Sequence, residues 1–106
     1  MTLVDRGDVF DSDLPDLGVR QVVVVTRQEA IPVLSSITVV LVTTTVRGHP
    51  AEVALGPAHG LDYECVANCD NVLTLAKRRL VRRRGALGAD DLVRLDDALR
   101  LALGLD

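Results

Sequence analysis

The sequence predicts one domain with a mostly β fold, either a small antiparallel barrel or a curved sheet, followed by a single C-terminal α-helix. Two long tracts rich in β-branched residues, 19–27 and 37–46, are typical of strands. Segments that contain glycine or proline separate the apolar tracts. Apolar residues at helical spacing occur only near the end of the chain. Because five or six strands come first and one helix last, we expect the helix to pack on the sheet.

The N-terminal half is predicted to hold three strands, at residues 6–14, 19–27 and 37–46. In the first strand Val9 alternates with charged neighbours, which indicates a partly exposed strand. The Pro-, Asp- and Gly-containing segment 14–18 is predicted to be a loop. Pro32 and two serines make the segment 28–36 an irregular crossover.

The C-terminal half is predicted to hold the remaining strands and one helical turn. Residues 51–56 alternate and are expected to pair back on the third strand as a hairpin, across the turn at 47–50. After the loop 56–62, a fifth strand covers 63–69 and either ends at a polar pair or continues over 72–76. Residues 77–80 are expected to form one helical turn, and a last strand follows over 81–87.

The final helix is predicted over residues 89–105. Leu92, Leu95, Leu99 and Ala102 recur there at helical spacing and define one apolar face. Two aspartates in the first turn suit the positive end of the helix dipole. A glycine near the end of the segment is a typical stop signal.

The composition restricts the class of protein. The chain has 106 residues, enough for one domain, 1–106, with its own core, and only Phe10 and Tyr63 are aromatic. No apolar stretch reaches the length of about 18 residues that a membrane span needs. The N-terminus lacks a basic region followed by an apolar one, so we predict a cytoplasmic protein with no membrane contact.

Cys65 and Cys69 are predicted to be buried thiols. Within a strand, four residues span roughly 13 Å. A disulfide requires Cα atoms within about 7 Å, so these two cannot pair. Neither histidine of the chain lies at zinc-ligand spacing from them, so we expect neither a metal nor a cofactor.

The charge of the chain is unevenly distributed. The net charge is −3, yet residues 77–84 hold six of the twelve basic residues and no acid. This basic stripe is either a solvated charged face or a local site for a polyanion.

Polar residues at the ends of three predicted strands are the candidates for chemistry. Arg20 opens the second strand, Thr43–Thr45 close the third, and Asp70 and Asn71 follow the fifth. Each also has an ordinary explanation: a surface ion pair of Arg20, the β-propensity of threonine, and a turn at Asp-Asn. No Gly-rich phosphate loop, Gly-x-Ser-x-Gly elbow or His-Glu-x-x-His occurs.

Four blocks of the chain, in order, resemble the MazF/PemK toxins of bacterial toxin–antitoxin pairs. The blocks are RGDVFDSDLPDLGVRQVVVVTR, VVLVTTTVRGHPAEV, CVANCDNVLTLAKRRL and DDLVRLDDALRLALGL. The most specific pieces are Arg-Gly-Asp-Val, Gly-x-Arg before an apolar strand, and Cys-Asp-Asn followed by Leu-Thr-x-x-Lys. The resemblance covers nearly the whole chain.

The resemblance implies a CcdB/MazF-like, SH3-type barrel with a C-terminal helix, which forms a homodimer. It also implies a metal-independent endoribonuclease that cuts single-stranded RNA, mainly mRNA, at short sequences and leaves a 2′,3′-cyclic phosphate and a 5′-hydroxyl. The partner would be a cognate antitoxin with an acidic, flexible tail, and the basic stripe would receive either that tail or RNA.

By position, the resemblance makes Arg20 and Thr43 the catalytic pair. The residues expected to contact RNA are Gly18, Arg27, Thr44, Arg47, Asp70 and Asn71.

The chain also departs from the family pattern. Gln21 stands where the family usually has proline, and 26–28 differ after the apolar strand. Two alternatives therefore stay open: a non-catalytic, CcdB-like binder of a topoisomerase, and a degenerate toxin that only binds an antitoxin.

Overall fold

The computed structural model describes residues 3–105 and has the predicted architecture of strands followed by a helix. The strands are β1 (Asp8–Leu14), β2 (Gly18–Val24), β3 (Ser36–Thr43), β4 (Glu52–Leu55), β5 (Cys65–Ala76) and β6 (Leu80–Ala86). The helix α1 covers Ala89–Leu103, and three short 3-10 turns lie at Gln28–Ala30, Pro57–His59 and Lys77–Arg79. The last of these is the helical turn predicted before the final strand.

All the strand pairs are antiparallel, and the order across the sheet is β4-β5-β3-β2-β1-β6. The sheet has apolar side chains on both faces. One core holds Val23, Val40 and the buried side of α1, and the other holds Phe10, Val22 and residues of the first crossover. The β-branched tracts form the two central strands because each can fill a core on both sides of the sheet.

The sheet is a curled half-barrel, since its edge strands β4 and β6 do not pair with each other in the part of the chain described. The 3-10 turn after β4 fills the gap. Its following residue, Gly60, has a φ of +80°, and a Cβ there would lie 1.9 Å from the carbonyl oxygen of Arg84 in β6. Only glycine permits this approach of two main chains.

The predicted hairpin of residues 51–56 with the third strand is wrong. β4 pairs with β5, from Glu52 opposite Asn68 to Leu55 opposite Cys65. β5 itself pairs with β3 on both sides of a short irregularity, over residues 66–68 and 72–76, and therefore lies between β3 and β4. β5 is twelve residues long, and its buried first part, Cys65–Asn68, pairs with β4 on the edge opposite β3.

The expectation that the first strand is partly exposed is also wrong for most of its length. β1 lies between β2 and β6, and Val9, Phe10 and Ser12 have no exposed surface. The polar residues are accommodated by partners: the Ser12 hydroxyl donates to the carbonyl of Arg79 at 3.1 Å, and the Asp8 carboxylate lies 3.3 Å from Arg83.

Asp70 and Asn71 lie within β5 and do not end it. Val40 of β3 pairs with Val72, but the next residue, Leu41, pairs with Asn68. Residues 69–71 therefore form an insertion in β5 that has no partners on β3. Both Asp70 and Asn71 are exposed.

The helix and the cysteines agree with the predictions. Leu95 and Ala98 of α1 are buried, while Leu92, Leu99 and Ala102 pack around them, and the helix ends at Gly104. Both cysteines are unpaired and buried. Burial, with a smaller effect of the Asp70 charge, raises the pKa of the Cys69 thiol to about 11. None of the described helices is long and apolar enough to cross a membrane.

Candidate active site

Arg20 and Thr43 lie side by side at one end of the two central strands. The β2–β3 register pairs Val22 with Leu41, so Arg20 and Thr43, two residues further on each strand, occupy neighbouring positions on one face. Arg20 Nη2 donates a hydrogen bond to the carbonyl oxygen of Val42 at 3.4 Å. Since this carbonyl is bonded to the backbone nitrogen of Thr43, the guanidinium reaches the peptide unit next to the threonine.

The strand beneath Arg20 is firmly held. Gly18 and Val19 are exposed and Arg20 is partly buried, whereas Val22, Val23 and Val24 are fully buried. The buried end of β2 fixes the backbone from which the guanidinium projects. A functional group on a fixed strand loses little freedom when it binds a ligand.

The hydroxyl oxygen of Thr43 already accepts one hydrogen bond from the backbone. Its Oγ1 accepts a hydrogen bond from the backbone N–H of Thr45 at 3.1 Å. Because a hydroxyl has one hydrogen and two lone pairs, this contact leaves the hydrogen free for donation to a ligand.

Arg20 and Thr43 line one cleft of about 200 Å³, the Arg20 cleft. Its other lining residues are Leu41, Thr45, Arg47, Asn68 and Asn71. The lining contains two guanidinium groups, several hydroxyl and amide groups, and no carboxylate. Such a cleft favours an anion that accepts several hydrogen bonds, and phosphate is one.

Many arginines outside the Arg20 cleft are paired with carboxylates. Six arginines make ion pairs with aspartates: Arg6, Arg79, Arg83, Arg84, Arg94 and Arg100. Within residues 3–105, neither Arg20 nor Arg47 is in an ion pair of this kind. The basic stripe is partly neutralised as well, since three of the six paired arginines belong to it.

Arg47 lies in a loop whose backbone is held by the side chain of Glu52. The Glu52 carboxylate accepts hydrogen bonds from the backbone N–H groups of Arg47, Gly48 and His49, at 3.2, 2.9 and 3.2 Å. The loop therefore has a defined position although its side chains are exposed.

The remaining predicted RNA contacts do not all reach this cleft. Gly18, with a φ of +74°, begins β2 and is exposed. Asp70 is exposed, and its Oδ2 lies 3.8 Å from Nδ1 of His49. Arg27 follows the opposite end of β2, about 23 Å from Arg20 along an extended strand. Arg27 is thus not brought together with Arg20 and Thr43.

A second cavity, of about 280 Å³, lies at the same end of the sheet and is here named the Gln21 cavity. It is lined by Gln21, Val42, Thr43, Thr44, Leu61, Asp62, Tyr63, Cys65 and Arg84. Thr43 is the one residue that lines both spaces. Thr44, a predicted RNA contact, belongs to this cavity rather than to the Arg20 cleft.

Arg84 holds this second cavity together. It donates to the Gly60 carbonyl and pairs with Asp11 at 3.4 Å and Asp62 at 3.2 Å. The neighbouring carboxylates, Asp11 first, raise the pKa of the guanidinium above its usual range. Gln21 donates from Nε2 to the other oxygen of Asp11 at 2.9 Å.

Sequence reasoning missed several residues of both spaces. Asn68 of the Arg20 cleft could have been found from its nearness in sequence to Asp70 and Asn71, whereas Thr45 was already among the polar candidates. Asp62, Tyr63 and Arg84 of the Gln21 cavity gave no local signal, because only the packing of the 3-10 turn on β6 brings them together. In the range 3–105, no group of three or more His, Cys, Asp and Glu residues is arranged to hold a metal ion.

Comparisons with known proteins identify the family of the chain. A family model described as the PemK-like, MazF-like toxin of type II toxin–antitoxin systems matches residues 5–103. The endoribonuclease MazF3 of Mycobacterium tuberculosis is 38% identical over 87 residues, which are 82% of this chain and 84% of the relative.

Two solved structures are similar over nearly their whole length. The Mycobacterium tuberculosis toxin MazF-mt6 has a TM-score of 0.87 at 34% identity, with 93% of this chain and 98% of that chain covered. A mycobacterial endoribonuclease in complex with its cognate antitoxin has a TM-score of 0.88 at 32% identity, with 98% of both chains covered. The family model and these relatives show that the chain belongs to the PemK-like, MazF-like toxins of type II toxin–antitoxin systems.

Proposed function

We propose that this MazF-like endoribonuclease cuts single-stranded RNA in the Arg20 cleft by a reaction that needs no metal ion. The observation that carries the proposal is the cleft's composition: a fixed arginine and a threonine hydroxyl share it with a second arginine and with no carboxylate. RNA supplies its own nucleophile, the 2′-hydroxyl. The protein therefore has to align that oxygen with the adjacent phosphorus and stabilise the charge that develops.

In the proposed reaction the 2′-oxygen loses its proton and forms a bond to phosphorus, while the bond from phosphorus to the 5′-oxygen breaks. The products are a 2′,3′-cyclic phosphate and a 5′-hydroxyl, which takes up a proton. Arg20 stays protonated throughout, so its role is to bind the charged phosphorane oxygens with paired N–H donors. Its single long bond to Val42 leaves the remaining donors available.

Thr43 is proposed to donate its hydroxyl hydrogen to a non-bridging phosphate oxygen. Its acceptor side is used by the Thr45 N–H, which fixes the direction of the side chain. Together with Arg20 it would hold the phosphate from two strands.

Arg47, Asn68 and Asn71 surround the pair and supply further donors and acceptors. We propose that Arg47 guides the backbone of the RNA and that Asn71 and Thr44 read base edges. Asp70 and Gly18 would lie beside the bound strand, since both are exposed near the same end of the sheet.

The partners follow from the family. One similar structure is a complex of an endoribonuclease with its cognate antitoxin. We propose that this chain is likewise inhibited by a cognate antitoxin with an acidic tail, which would compete with RNA for Arg20 and Arg47. We also propose that the toxin is a homodimer.

The test is cleavage of a long single-stranded RNA in EDTA, with the ends of the fragments mapped. Wild type should give discrete cuts with cyclic-phosphate ends. By analogy with arginines in phosphoryl transfer, Arg20→Ala should slow cleavage about 10³-fold or more without loss of stability. Arg100→Ala, on the exposed face of α1, is the matched control and should cut like wild type.

Intact RNA with wild-type protein would contradict the proposal, as would normal cutting by Arg20→Ala. Intact RNA together with a stalled topoisomerase would favour the CcdB-like alternative.

A further inference from the structure

We propose that the Gln21 cavity binds one nucleobase of the RNA, and that it selects a base with an exocyclic amino group over uracil. This inference rests on the proposed ribonuclease function and assigns a site for sequence readout on the face of the sheet opposite Arg20.

The position of the cavity fits a base next to the phosphate that is cut. Gln21 follows Arg20 in β2, and successive side chains of a strand point to opposite faces. Thr43 lines both the cavity and the Arg20 cleft. An RNA strand that crosses the end of β2 and β3 can therefore place a phosphate on one face and a neighbouring base on the other.

The charge of the cavity excludes phosphate. Arg84 is bound to two carboxylates, Asp11 and Asp62, so this group of three side chains has a net charge of −1. The Arg20 cleft has two guanidinium groups and no carboxylate. The two spaces thus differ in sign, and the neutral part of a nucleotide is the one that suits the Gln21 cavity.

The hydrogen-bonding groups of the cavity favour amino donors. Three N–H groups of Arg84 are used by Gly60, Asp11 and Asp62. The Gln21 amide nitrogen donates to Asp11, a carboxylate that can only accept, which fixes the amide and leaves its carbonyl oxygen as an acceptor. Asp62, whose side chain is 74% exposed, supplies further acceptor oxygens.

Adenine, cytosine and guanine each have an amino group that can donate to these acceptors, and uracil has none. Uracil can offer these acceptors only its ring N3–H, and the two carbonyl oxygens that flank this group would then lie close to the carboxylates. We therefore expect the cavity to discriminate against uracil.

Tyr63 supplies a surface for stacking. Its side chain lines the cavity and is 73% exposed, and it is one of only two aromatic residues in the chain. A base that stacks on this ring would be held in the plane in which its edge faces Gln21 and Asp62.

The experiment compares three variants with wild type on a single-stranded RNA pool that is randomised around one cut site. Gln21→Met keeps the side-chain length and removes the amide, Asp62→Asn removes one acceptor charge, and Tyr63→Ala removes the ring. Asp97→Asn, an exposed aspartate paired with Arg100 on α1, is the control for Asp62→Asn. Thermal unfolding of each variant verifies the fold.

We expect wild type to disfavour uracil at one position by about tenfold, the effect of one good base contact. Gln21→Met and Asp62→Asn should remove most of this discrimination, Tyr63→Ala should weaken it, and the other positions and the Asp97→Asn control should keep the wild-type pattern. An unchanged preference in folded Gln21→Met and Asp62→Asn would overturn the inference.

A binding measurement separates the two proposals. Oligonucleotides with a 2′-deoxy residue at the cut site cannot react, and their affinities for wild type and Gln21→Met report the base preference without cleavage. Base-dependent binding that Gln21→Met abolishes supports the base site even if wild type fails to cut RNA. Binding without base preference overturns the base site while the ribonuclease stands. A loss of antitoxin affinity in Asp62→Asn, with the base preference unchanged, would assign the cavity to a cationic antitoxin side chain instead.

Discussion

Thr43 lies at the boundary between the buried part of β3 and the candidate active site. Its neighbours Val40, Leu41 and Val42 are buried, and Thr44 beyond it is exposed. A β-branched residue continues the strand geometry up to that boundary, and a hydroxyl gives the boundary a hydrogen-bond donor. Threonine is the residue that supplies both.

Replacing Thr43 tests which of these properties matters. Thr43→Val keeps the branched shape and removes the hydroxyl, so we expect RNA cleavage to fall by about 10²-fold, as when one preorganised donor to a developing oxyanion is lost. Thr43→Ser restores the donor and should retain most of the rate. Single-turnover cleavage of a defined oligonucleotide measures both.

The fold of Thr43→Val should be intact, with a thermal midpoint near that of wild type. Equal rates for Thr43→Val and Thr43→Ser would assign Thr43 a structural role only.

Residue by residue, the candidate site was predicted unevenly. Arg20, Thr43 and Asn71 were predicted from the family resemblance and Arg47 as a basic residue that contacts RNA, and the structure places all four in one cleft. Gln21 was recognised only as a departure from the family pattern. Its neighbour Arg84 was part of a basic stripe, and nothing in the local sequence indicated that two aspartates from other elements bind it.

At the scale of elements, the helix is attached to the sheet by a polar contact as well as by its apolar face. His59, in the 3-10 turn after β4, accepts the Gly56 N–H at Nδ1, so its Nε2 carries the hydrogen and donates to Asp91 of α1 at 2.7 Å. Asp91 also binds Arg94 one turn along the helix. Arg6 pairs with Asp96 at 2.8 Å and holds the N-terminal segment to the same helix.

Asp91 gives the stability a defined pH dependence. The bonds from Arg94, and next from His59, lower the pKa of its carboxyl group below the usual value. The folded state therefore favours the charged form, and this contribution is present above the unfolded pKa of about 3.9 and is lost as the pH falls through the folded value. Asp91→Asn should lower the free energy of unfolding at pH 7 by about 1 kcal/mol, and the difference from wild type should shrink as the pH falls below the unfolded pKa of about 3.9.

Urea unfolding at several pH values measures this difference. Asp97→Asn, in the exposed pair with Arg100, should change stability by less than about 0.5 kcal/mol at any pH. A difference between wild type and Asp91→Asn that stays constant down to pH 3 would contradict the assignment.

The elements themselves were largely predictable, and their pairing was less so. The strand tracts, the helix from Ala89 and its end at Gly104 follow from residue type and periodicity. The position of β5 between β3 and β4 could not be predicted in this way. Strands next to each other in sequence are the usual partners, and only the packing of the shared core places β5 between them. The burial of β1 was missed since its charged residues are neutralised by β6.

In the whole molecule, the two edges of the half-barrel differ in character. β6 presents the arginine-rich part of the basic stripe at its edge, and charged side chains discourage pairing with another strand. β4 pairs only with Cys65–Asn68 of β5. The outer half of β5, including the partly exposed Val72, therefore has one edge without a partner among the described residues. Large apolar residues are also exposed on α1, at Val93, Leu101 and Leu103.

These surfaces suit association, and we expect a homodimer. Light scattering should give twice the chain mass of 11.4 kDa, because burial of apolar surface and of a free strand edge stabilises the pair. The thermal midpoint should then rise with protein concentration. A monomer mass together with a midpoint independent of concentration would contradict the dimer.

The insertion of residues 69–71 in β5 has a consequence for how such toxins diversify. Because the ladders before and after it are complete, its length can change while the scaffold and the Arg20–Thr43 pair stay in place. A side chain changes face with every single-residue step along a strand. A change in the length of the insertion would therefore alter how the side chains of residues 69–71 meet the Arg20 cleft, so that target preference could diverge while Arg20 and Thr43 stay in place.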